Sequence, residues 1–529
     1  MMQLFGRLCT FAAIAIAFAA AGMSPARARD ALPGPAVRVA QGLLAGRPDG
    51  AVDAFLGIPF AAPPVGPLRW RAPQPALPWT GERSATDFGA GCVQDVHPGG
   101  HAPWTQEYVV AGRISEDCLT LNVWTPARAG EKKPVLVWIH GGGFQEGSGS
   151  VPIYRGSSLA GRGIVVVTIN YRLGLFGFVA HPDLRREAGA GVAANFGLQD
   201  QIAALRWVHA NIAAFGGDPA HVTIAGQSAG SMSVHSLVVS PLAKGLFVRA
   251  IAQSALPTAV PLLTLAEAER SGQAFAADKG ARTLAELRAM PVEQLALPRG
   301  GAMGGKYRFG VTVDGRLLPA APAQLLAQGS FTDVPMIIGQ TADEASSRPG
   351  YGAGDAAAYA AFLEQSLGDR AADVAPLYPA ATDAERSQAM KAISRDTGLS
   401  LIDAWAATRL GRGRTPLWGY YFNHVEPGPA SDSFGAFHSS DIPYALSTLD
   451  AAPDRAFTLD DRRLSLAMSS YWVNFVRSGD PNGAGLPPWL AIDPADPHII
   501  ELSTTIHARP LLSADKRRAY RPLQPATLR

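Results

Sequence analysis

Residues 221–235, HVTIAGQSAGSMSVH, place one serine between two glycines where a β-branched run gives way to a helical pattern. Gly226 and Gly230 flank Ser228 in the pattern G-x-S-x-G. Side chains at both glycine positions would crowd the neighbouring strand and helix, so this pattern favours a sharp turn between the two elements. Such a turn leaves the Ser228 hydroxyl exposed at the carboxyl edge of a sheet.

Three other apolar, β-rich runs are each followed by a turn and a helical pattern, at residues 134–140, 164–170 and 334–339. Residues 197–215 have apolar positions at helical spacing and end at the stop signal GGDP. This alternation predicts a parallel sheet wrapped by helices, an α/β fold.

Two kinds of segment depart from this rhythm. Residues 55–70, rich in proline and glycine, predict short strands and loops at an antiparallel edge of the sheet. Residues 258–307 and 351–414 carry alanine-rich helical patterns, which we interpret as insertions that cap a site.

The composition is that of a globular protein. The chain has 529 residues, of which 47% are hydrophobic and 17% charged. No repeat or low-complexity linker divides it, so we expect one domain over residues 29–529.

The first 28 residues predict an export signal. Arg7 supplies a basic start, residues 8–21 are apolar, and Ala26-Arg27-Ala28 is a cleavage site of the A-x-A type. An apolar run of about 14 residues is short for a bilayer span, which needs about 20, so cleavage near Arg29 is favoured over an anchor. The mature protein is therefore expected to be periplasmic or secreted, with no stable membrane span.

The net charge excludes some partners. It is +2 for the whole chain and falls to near zero when Arg7 and Arg27 leave with the signal. No general attraction to nucleic acid or to anionic membranes is expected. The sequence does not indicate the oligomeric state.

Cys92 and Cys118 remain as a pair once Cys9 is removed with the signal. In an oxidising compartment they are expected to form one disulfide. In the chain-entropy description, closing this loop stabilises the fold by about 3 to 4 kcal/mol.

A serine hydroxyl becomes a good nucleophile only when an imidazole takes its proton and a carboxylate orients that imidazole. Four downstream histidines are candidates: His424, His438, His498 and His507. His438 lies in the glycine- and serine-bearing loop GAFHSSDIPY, whereas His424 follows the strand-like run WGYYFN.

The carboxylate has two candidates. The run VPMIIGQTADEASS predicts a strand that presents Asp343 and Glu344 at its carboxyl edge. Spacing alone does not choose between the two.

A tetrahedral oxyanion needs backbone N–H donors. The run VLVWIHGGGFQEGS places three glycines directly after a strand, so that the backbone can approach a substrate closely. This glycine run, with the N–H of Ala229 as a further donor, therefore predicts an oxyanion hole.

Several long stretches resemble the type-B carboxylesterase family, which includes cholinesterases and bacterial esterases. They are FLGIPFAAPPVGPLRW, SEDCLTLNVWTP, HGGGF, NYRLGLFGF, NFGLQDQIAALRWVHANIAAFGGDP, GQSAGS and YWVNFVRSGDPN. The resemblance covers nearly all of residues 29–529 and implies a large α/β-hydrolase fold.

The resemblance also implies roles for individual residues. It implies Ser228, Glu344 and His438 as the catalytic triad, with Glu344 chosen over Asp343 because the family places a glutamate after the aspartate in this loop. It also implies that Gly142, Gly143 and Ala229 form the oxyanion hole. It further implies the Cys92–Cys118 disulfide beside a gorge, a structural Arg69–Glu116 pair, and a supporting Ser254 near the histidine. Trp104 lies inside the disulfide loop, but its spacing to Cys118 differs from that of the cation-binding tryptophan of cholinesterases, so that role is not transferred.

Gln227 departs from the family, in which most members have glutamate before the nucleophile. One interpretation is that glutamine keeps the same hydrogen bonds and leaves substrate preference unchanged. The alternative hypothesis is that a site without this carboxylate favours cationic alcohols less and repels anionic esters less.

Together these features predict a serine carboxylic-ester hydrolase that works through an acyl-enzyme on a small-molecule ester, with no cofactor and no metal. Alternatives within this class are a lipase, a polyester hydrolase, and a detoxifying esterase for a bulky or polycarboxylate ester of the fumonisin type. A non-catalytic, cholinesterase-like binding domain is the alternative outside it.

Overall fold

The computed structural model describes residues 34–256, 262–295, 297 and 306–521. The described residues from Pro35 onward belong to one compact unit. The predicted export signal and its cleavage site lie outside the described residues. Within the described ranges, no helix has both the length and the apolar character needed to cross a bilayer.

The described residues contain eighteen strands. They are β1 (Ala36–Val39), β2 (Gly42–Ala45), β3 (Arg47–Asp49), β4 (Val52–Pro59), β5 (Glu82–Ser84), β6 (Gly100–His101), β7 (Trp104–Thr105), β8 (Thr120–Thr125), β9 (Lys133–Ile139), β10 (Val165–Ile169), β11 (Gly217–Gln227), β12 (Arg249–Gln253), β13 (Leu263–Thr264), β14 (Thr312–Val313), β15 (Met336–Thr341), β16 (Leu417–Phe422), β17 (His498–Leu502) and β18 (His507–Pro510).

The described residues also contain sixteen α-helices. They are α1 (Ser157–Ala160), α2 (Gly174–Phe178), α3 (Pro182–Ala188), α4 (Phe196–Asn211), α5 (Ala229–Val239), α6 (Leu265–Asp278), α7 (Leu284–Ala289), α8 (Val292–Leu295), α9 (Pro322–Ala327), α10 (Ala356–Leu367), α11 (Ala371–Val374), α12 (Asp383–Leu410), α13 (Ser431–Phe434), α14 (Ile442–Ala445), α15 (Leu459–Ser478) and α16 (Ala514–Tyr520).

Eleven strands form one central sheet in the order β18-β17-β16-β15-β12-β11-β9-β10-β8-β4-β3. The seven strands from β17 to β10 pair in parallel, and antiparallel strands close both edges. The predicted α/β fold is therefore confirmed, including the antiparallel edge at the amino-terminal side.

The parallel strands lie inside the core because helices cover the sheet. All five residues of β10 and all six of β15 are buried, as the continuous apolar runs of a parallel sheet require. One predicted boundary was wrong: β11 begins at Gly217 rather than at residue 221, because Gly217 already pairs with Lys133.

The alanine-rich segments form helices as predicted. The first contains α6, α7 and α8, and the second contains α10, α11 and the long helix α12. A capping box starts α12, in which the Thr382 side chain accepts from the backbone N–H of Glu385 and Glu385 bonds back to Thr382.

Candidate active site

Ser228 occupies the tight turn between β11 and α5, with φ 58° and ψ −122°. Its N–H donates to the carbonyl of Gln253 at 2.9 Å, which fixes the turn to β12. A Cβ at Gly226 would lie 2.6 Å from the carbonyl oxygen of Gly230, and a Cβ at Gly230 would lie 2.0 Å from that of Ile139. Both flanking positions therefore require glycine, which is the physical basis of the sequence pattern.

The structure brings Glu344 to His438. The Glu344 carboxylate is hydrogen-bonded to Nδ1 of His438, 94 residues away in the chain. Two further donors hold the carboxylate at Oε1: the Ser254 hydroxyl at 2.5 Å and the Thr341 N–H at 2.8 Å. Ser254 therefore contacts the carboxylate that is hydrogen-bonded to His438.

This contact shifts both ionisable groups. Burial would raise the pKa of Glu344, but His438 and the donated hydrogen bonds outweigh burial and hold that pKa below its usual value. Burial would lower the pKa of His438, but the adjacent Glu344 carboxylate raises it above the usual value. The pair therefore favours an ionised Glu344 carboxylate that accepts a hydrogen bond from Nδ1 of His438.

Asp343, the other candidate acid, faces away from the imidazole. Its carboxylate accepts hydrogen bonds from the Tyr351 hydroxyl at 2.7 Å, from Arg395 at 2.6 Å and from the Ala436 N–H at 3.0 Å. Asp343 therefore fastens the segment that precedes His438.

The other candidate histidines lie elsewhere. His424 Nε2 is 2.7 Å from Asp461. His498 and His507 belong to the edge strands β17 and β18. Among the four histidines considered, only His438 lines the cavity that contains Ser228.

Gln227 meets the second nitrogen of the imidazole. Its side-chain Nε2 lies 3.2 Å from Nε2 of His438, and Gln227 is only 2% exposed. Because Nδ1 of His438 donates to Glu344, Nε2 of the neutral imidazole is an acceptor, so the amide is the donor. Sequence reasoning singled out Gln227 for its missing charge but did not predict this contact.

The glycine loop approaches Ser228 closely. A Cβ at Gly141 would lie 3.1 Å from Cβ of Ser228. Gly142 and Gly143 have positive φ angles of 96° and 61°. Within the described part of the chain, their N–H groups have no hydrogen-bond acceptor. These N–H groups, with that of Ala229 at the start of α5, are suited to an anionic oxygen beside Ser228.

His140 anchors the glycine loop. Its ring stacks on Tyr171 at 4.3 Å, and the Tyr171 hydroxyl donates to the carbonyl of His140 at 2.8 Å. Burial lowers the pKa of His140 to about 4, so the ring stays neutral and contributes packing rather than charge.

The predicted disulfide is present between Cys92 and Cys118. Next to it, Arg69 forms two hydrogen bonds of 2.6 Å with the carboxylate of Glu116. The Arg69–Glu116 pair implied by the resemblance is thus a bidentate ion pair beside the disulfide.

Ser228 and His438 open into one cavity of about 320 Å³. It is lined by Gln94, Asp95, Val96, His97, Trp104, Tyr108, Val109, Val110, Gly141, Gly142, Gly143, Gln145, Glu146, Gly147, Tyr154, Gln227, Ser228, His438 and Ser439. Where the structure describes the lining, the walls come from the disulfide loop and the glycine loop rather than from α6–α8 or α10–α12.

Trp104 makes a contact that sequence reasoning missed. Its indole Nε1–H donates to the main-chain carbonyl of His438 at 3.0 Å. The two residues are 334 positions apart, and no local pattern in the sequence links them.

Comparison with known proteins identifies the family. The model of the Carboxylesterase family matches residues 33–516. Fumonisin B1 esterase from Sphingopyxis macrogoltabida is 38% identical over 448 residues, which cover 82% of this chain and 80% of that protein. Para-nitrobenzyl esterase from Bacillus subtilis is 34% identical over 457 residues, covering 83% of this chain and 89% of that protein.

The fold is shared with solved structures. A structure of PNB esterase superposes with a TM-score of 0.74 at 32% identity, covering 92% of this chain and 99% of that one. The family resemblance and the α/β-hydrolase fold predicted from the sequence are both confirmed. This chain belongs to the carboxylesterase family.

Proposed function

We propose that this chain hydrolyses carboxylic esters through an acyl-enzyme on Ser228, with His438 as general base and Glu344 as its orienting acid. The observation that carries the proposal is the contact between Glu344 and His438, together with the cavity that both His438 and Ser228 line. Glu344 contacts His438, and His438 lines the same cavity as Ser228, which supports the assignment of a nucleophile, its base and an orienting acid.

Each residue has a defined step. His438 Nε2 takes the proton of Ser228 as the hydroxyl oxygen attacks the ester carbonyl, and the N–H groups of Gly142, Gly143 and Ala229 stabilise the oxyanion. His438 then gives that proton to the leaving alcohol. Water, activated by the same imidazole, cleaves the acyl-enzyme and restores Ser228. Glu344 holds the tautomer and stabilises the imidazolium in both halves.

The test is removal of the nucleophile. We expect Ser228→Ala to lose hydrolysis of p-nitrophenyl butyrate, with an unchanged circular dichroism spectrum and melting temperature close to wild type. A fluorophosphonate probe should label the wild type at Ser228 and leave the variant unlabelled. Retained turnover in the variant would refute this assignment, and an unlabelled, inactive wild type would favour the non-catalytic binding domain.

The cavity favours an uncharged ester over an anionic one. Two carboxylates, Asp95 and Glu146, line it together with His97. No lysine or arginine lines it within the described residues. A substrate carboxylate would enter against like charges, and solvent screens this repulsion in part because Asp95 is exposed.

A polycarboxylate ester is the second candidate substrate. Its support is the 38% identity to a protein named fumonisin B1 esterase. We compare two acyl esters of similar size, p-nitrophenyl butyrate and mono-p-nitrophenyl succinate. The proposal predicts about tenfold lower kcat/KM for the succinate at low ionic strength, a gap that narrows with added salt.

Variants that remove the two carboxylates of the cavity test the cause of this difference. Asp95→Asn with Glu146→Gln should raise kcat/KM for the succinate relative to the butyrate. Preference of the wild type for the succinate would support the second candidate and overturn the first.

We also propose that the protein is exported. The support is the export pattern at residues 1–28 and the Cys92–Cys118 disulfide, which is typical of oxidising compartments. Expression in a Gram-negative host should place the protein in the periplasm or medium, and its amino-terminal sequence should begin near Arg29. A cytoplasmic protein with an intact amino terminus would contradict the proposal.

A further inference from the structure

Trp104, a residue of the disulfide loop (residues 92–118), contacts the proposed base His438. Trp104 donates its indole N–H to the carbonyl of His438 at 3.0 Å. Its ring also meets Phe437, the residue before His438, edge-on at 6.3 Å between centroids. One side chain therefore contacts the peptide backbone on which the imidazole is carried and the side chain next to it.

The loop is itself fastened on both sides of Trp104. Arg455, whose side chain is 4% exposed, donates to the carbonyl of Pro103 at 2.8 Å and to the hydroxyl of Thr105 at 2.7 Å. The same guanidinium donates to Glu107 at 2.6 Å. Trp104 thus stands between two residues that a buried arginine holds in place.

The imidazole needs support at two ends. Glu344 holds Nδ1 and Gln227 contacts Nε2, but hydrogen bonds to the ring atoms do not fix the peptide group that carries the ring. The bond from Trp104 holds that peptide group. Small displacements of a catalytic group cost rate because the reacting atoms must meet within a narrow geometry.

We propose that Trp104 is a positioning residue that fixes the main chain of His438, and that the Cys92–Cys118 loop acts on the reaction through it. This inference rests on the proposed function, since it takes His438 to be the base. It gives the loop a role in the chemical step in addition to its role as a wall of the cavity.

If Trp104 served only as part of the cavity wall, its replacement would have a different effect. Trp104 lines the cavity, so truncation of a wall would change KM by an amount that depends on the size of the acyl group. Loss of positioning lowers kcat by the same factor for every acyl group, because the imidazole serves them all.

The principal variant is Trp104→Phe, which keeps a ring and removes the N–H donor. We expect kcat to fall about fivefold to tenfold, the effect of one lost hydrogen bond, equally for p-nitrophenyl acetate and p-nitrophenyl hexanoate. KM should change less than twofold for both esters. The rate constant for phosphonylation of Ser228 by the fluorophosphonate should fall by the same factor as kcat.

A second replacement separates the donor from the ring shape. Benzothienylalanine at position 104 has nearly the size of tryptophan but carries sulfur in place of the N–H, and it should reproduce the kcat of Trp104→Phe. Gln106→Ala is the matched control: it removes an exposed 3.4 Å hydrogen bond between the same loop and Asp454, and it should leave kcat unchanged.

A double-mutant cycle tests the part played by the loop. Cys92→Ala with Cys118→Ala should lower kcat, and adding Trp104→Phe should lower it further by less than the factor seen in the disulfide-bonded protein. If the cysteine replacements and Trp104→Phe lower kcat by independent factors that multiply, the loop does not act on the reaction through Trp104. If the cysteine-free chain does not fold, the kinetics of the two position-104 replacements decide the positioning role alone.

The two proposals fail in different ways. Trp104→Phe with wild-type kcat, or with a loss that changes with acyl length, would overturn this inference while Ser228 remains the labelled nucleophile. Persistent turnover by Ser228→Ala would overturn the proposed function itself.

Discussion

The amide of Gln227 contacts the imidazole nitrogen that must receive the proton of Ser228. An amide N–H can donate to Nε2 only while the imidazole is neutral, so this contact favours the form of His438 that acts as a base. A carboxylate in the same place would favour the imidazolium. The charged groups that shift the pKa of His438 are Glu344, Asp441 and Arg348.

Gln227→Glu should therefore raise the pKa of His438. Because the base must be deprotonated, the acidic limb of the kcat/KM profile should move to higher pH, and activity near pH 6 should fall relative to the plateau. The measurement is a pH series with p-nitrophenyl butyrate. Gln227→Met, which lacks both charge and donor, separates the two effects. An acidic limb that stays in place would show that the amide has no influence on protonation.

The charge hypothesis for Gln227 is tested with the same variant. Gln227→Glu should raise kcat/KM for a cationic ester and lower it for an anionic one relative to a neutral ester of the same size. Unchanged ratios would favour the simpler interpretation, in which glutamine keeps the hydrogen bonds and leaves preference alone.

The adjacent acids Asp343 and Glu344 should respond differently to neutralisation. Glu344→Gln should lower kcat by about 10³-fold or more, because the amide no longer imposes the tautomer in which Nε2 accepts. Asp343→Asn should lower kcat by about tenfold or less and mainly reduce stability, by about 1 to 3 kcal/mol, because it loses the charge that faces Arg395. Steady-state kinetics and urea unfolding of both variants make the comparison. Equal losses of kcat would contradict the division of roles.

The turn between β11 and α5 depends on atoms of β9. A Cβ on Gly230 would lie 2.0 Å from the carbonyl oxygen of Ile139, and that oxygen belongs to a buried strand that cannot yield. We expect Gly230→Ala to lower the free energy of unfolding by about 3 kcal/mol or more. The control is Gly112→Ala, where a Cβ meets no atom within 4 Å. Similar unfolding midpoints in urea for the two variants would contradict this prediction.

The elements that sequence predicts best are those whose cause is local. The strand at residues 134–140 was found at Lys133–Ile139, and the turn at Ser228 was found where its two glycines placed it. The choice of Glu344 over Asp343 came from family resemblance, because both carboxylates end the same strand and only the packed structure decides which one faces His438.

The contacts that sequence could not predict join residues far apart. Trp104 and His438, or Asp343 and Arg395 of α12, meet only through the tertiary packing of segments that are distant in the chain. Neither pair has a spacing or composition that marks it. The alanine-rich insertions were expected to cap the site, whereas the walls of the cavity come, where described, from the disulfide loop and the glycine loop.

The parallel order of the central sheet gathers the site at one edge. The carboxyl ends of β9, β11, β12 and β15 lead directly into the glycine loop, Ser228, Ser254 and Glu344. Ligand sites of α/β sheets lie at this edge because the connecting loops are free to vary there.

A buried network links the disulfide loop to the segment after β16. The Tyr108 hydroxyl donates to Glu426 at 2.6 Å, and Arg455 lies between Glu426 and Glu107. Burial raises the pKa of Glu426 from 4.5 to about 8, against the opposing charge of Arg455. The folded protein therefore binds a proton there that the unfolded chain releases.

This linkage makes the stability of the whole molecule depend on pH. The contribution of Glu426 is fully present below about 4.5 and is lost as pH rises towards about 8. Glu426→Gln keeps an acceptor for Tyr108 and has no proton to lose, so its free energy of unfolding should fall less steeply over this window. Urea unfolding at several pH values measures both slopes. Identical slopes would mean that Glu426 does not carry the proton.

The positive φ of Ser228 implies that activity is maintained at the expense of stability. A side chain at φ 58° and ψ −122° is held in a conformation that suits glycine, at a cost of about 1 to 3 kcal/mol. Ser228→Gly and Ser228→Ala should both be inactive, yet the glycine variant should melt at a higher temperature than the alanine variant, which keeps the Cβ. The conformation that destabilises the turn is thus the one that presents the Ser228 hydroxyl to the cavity.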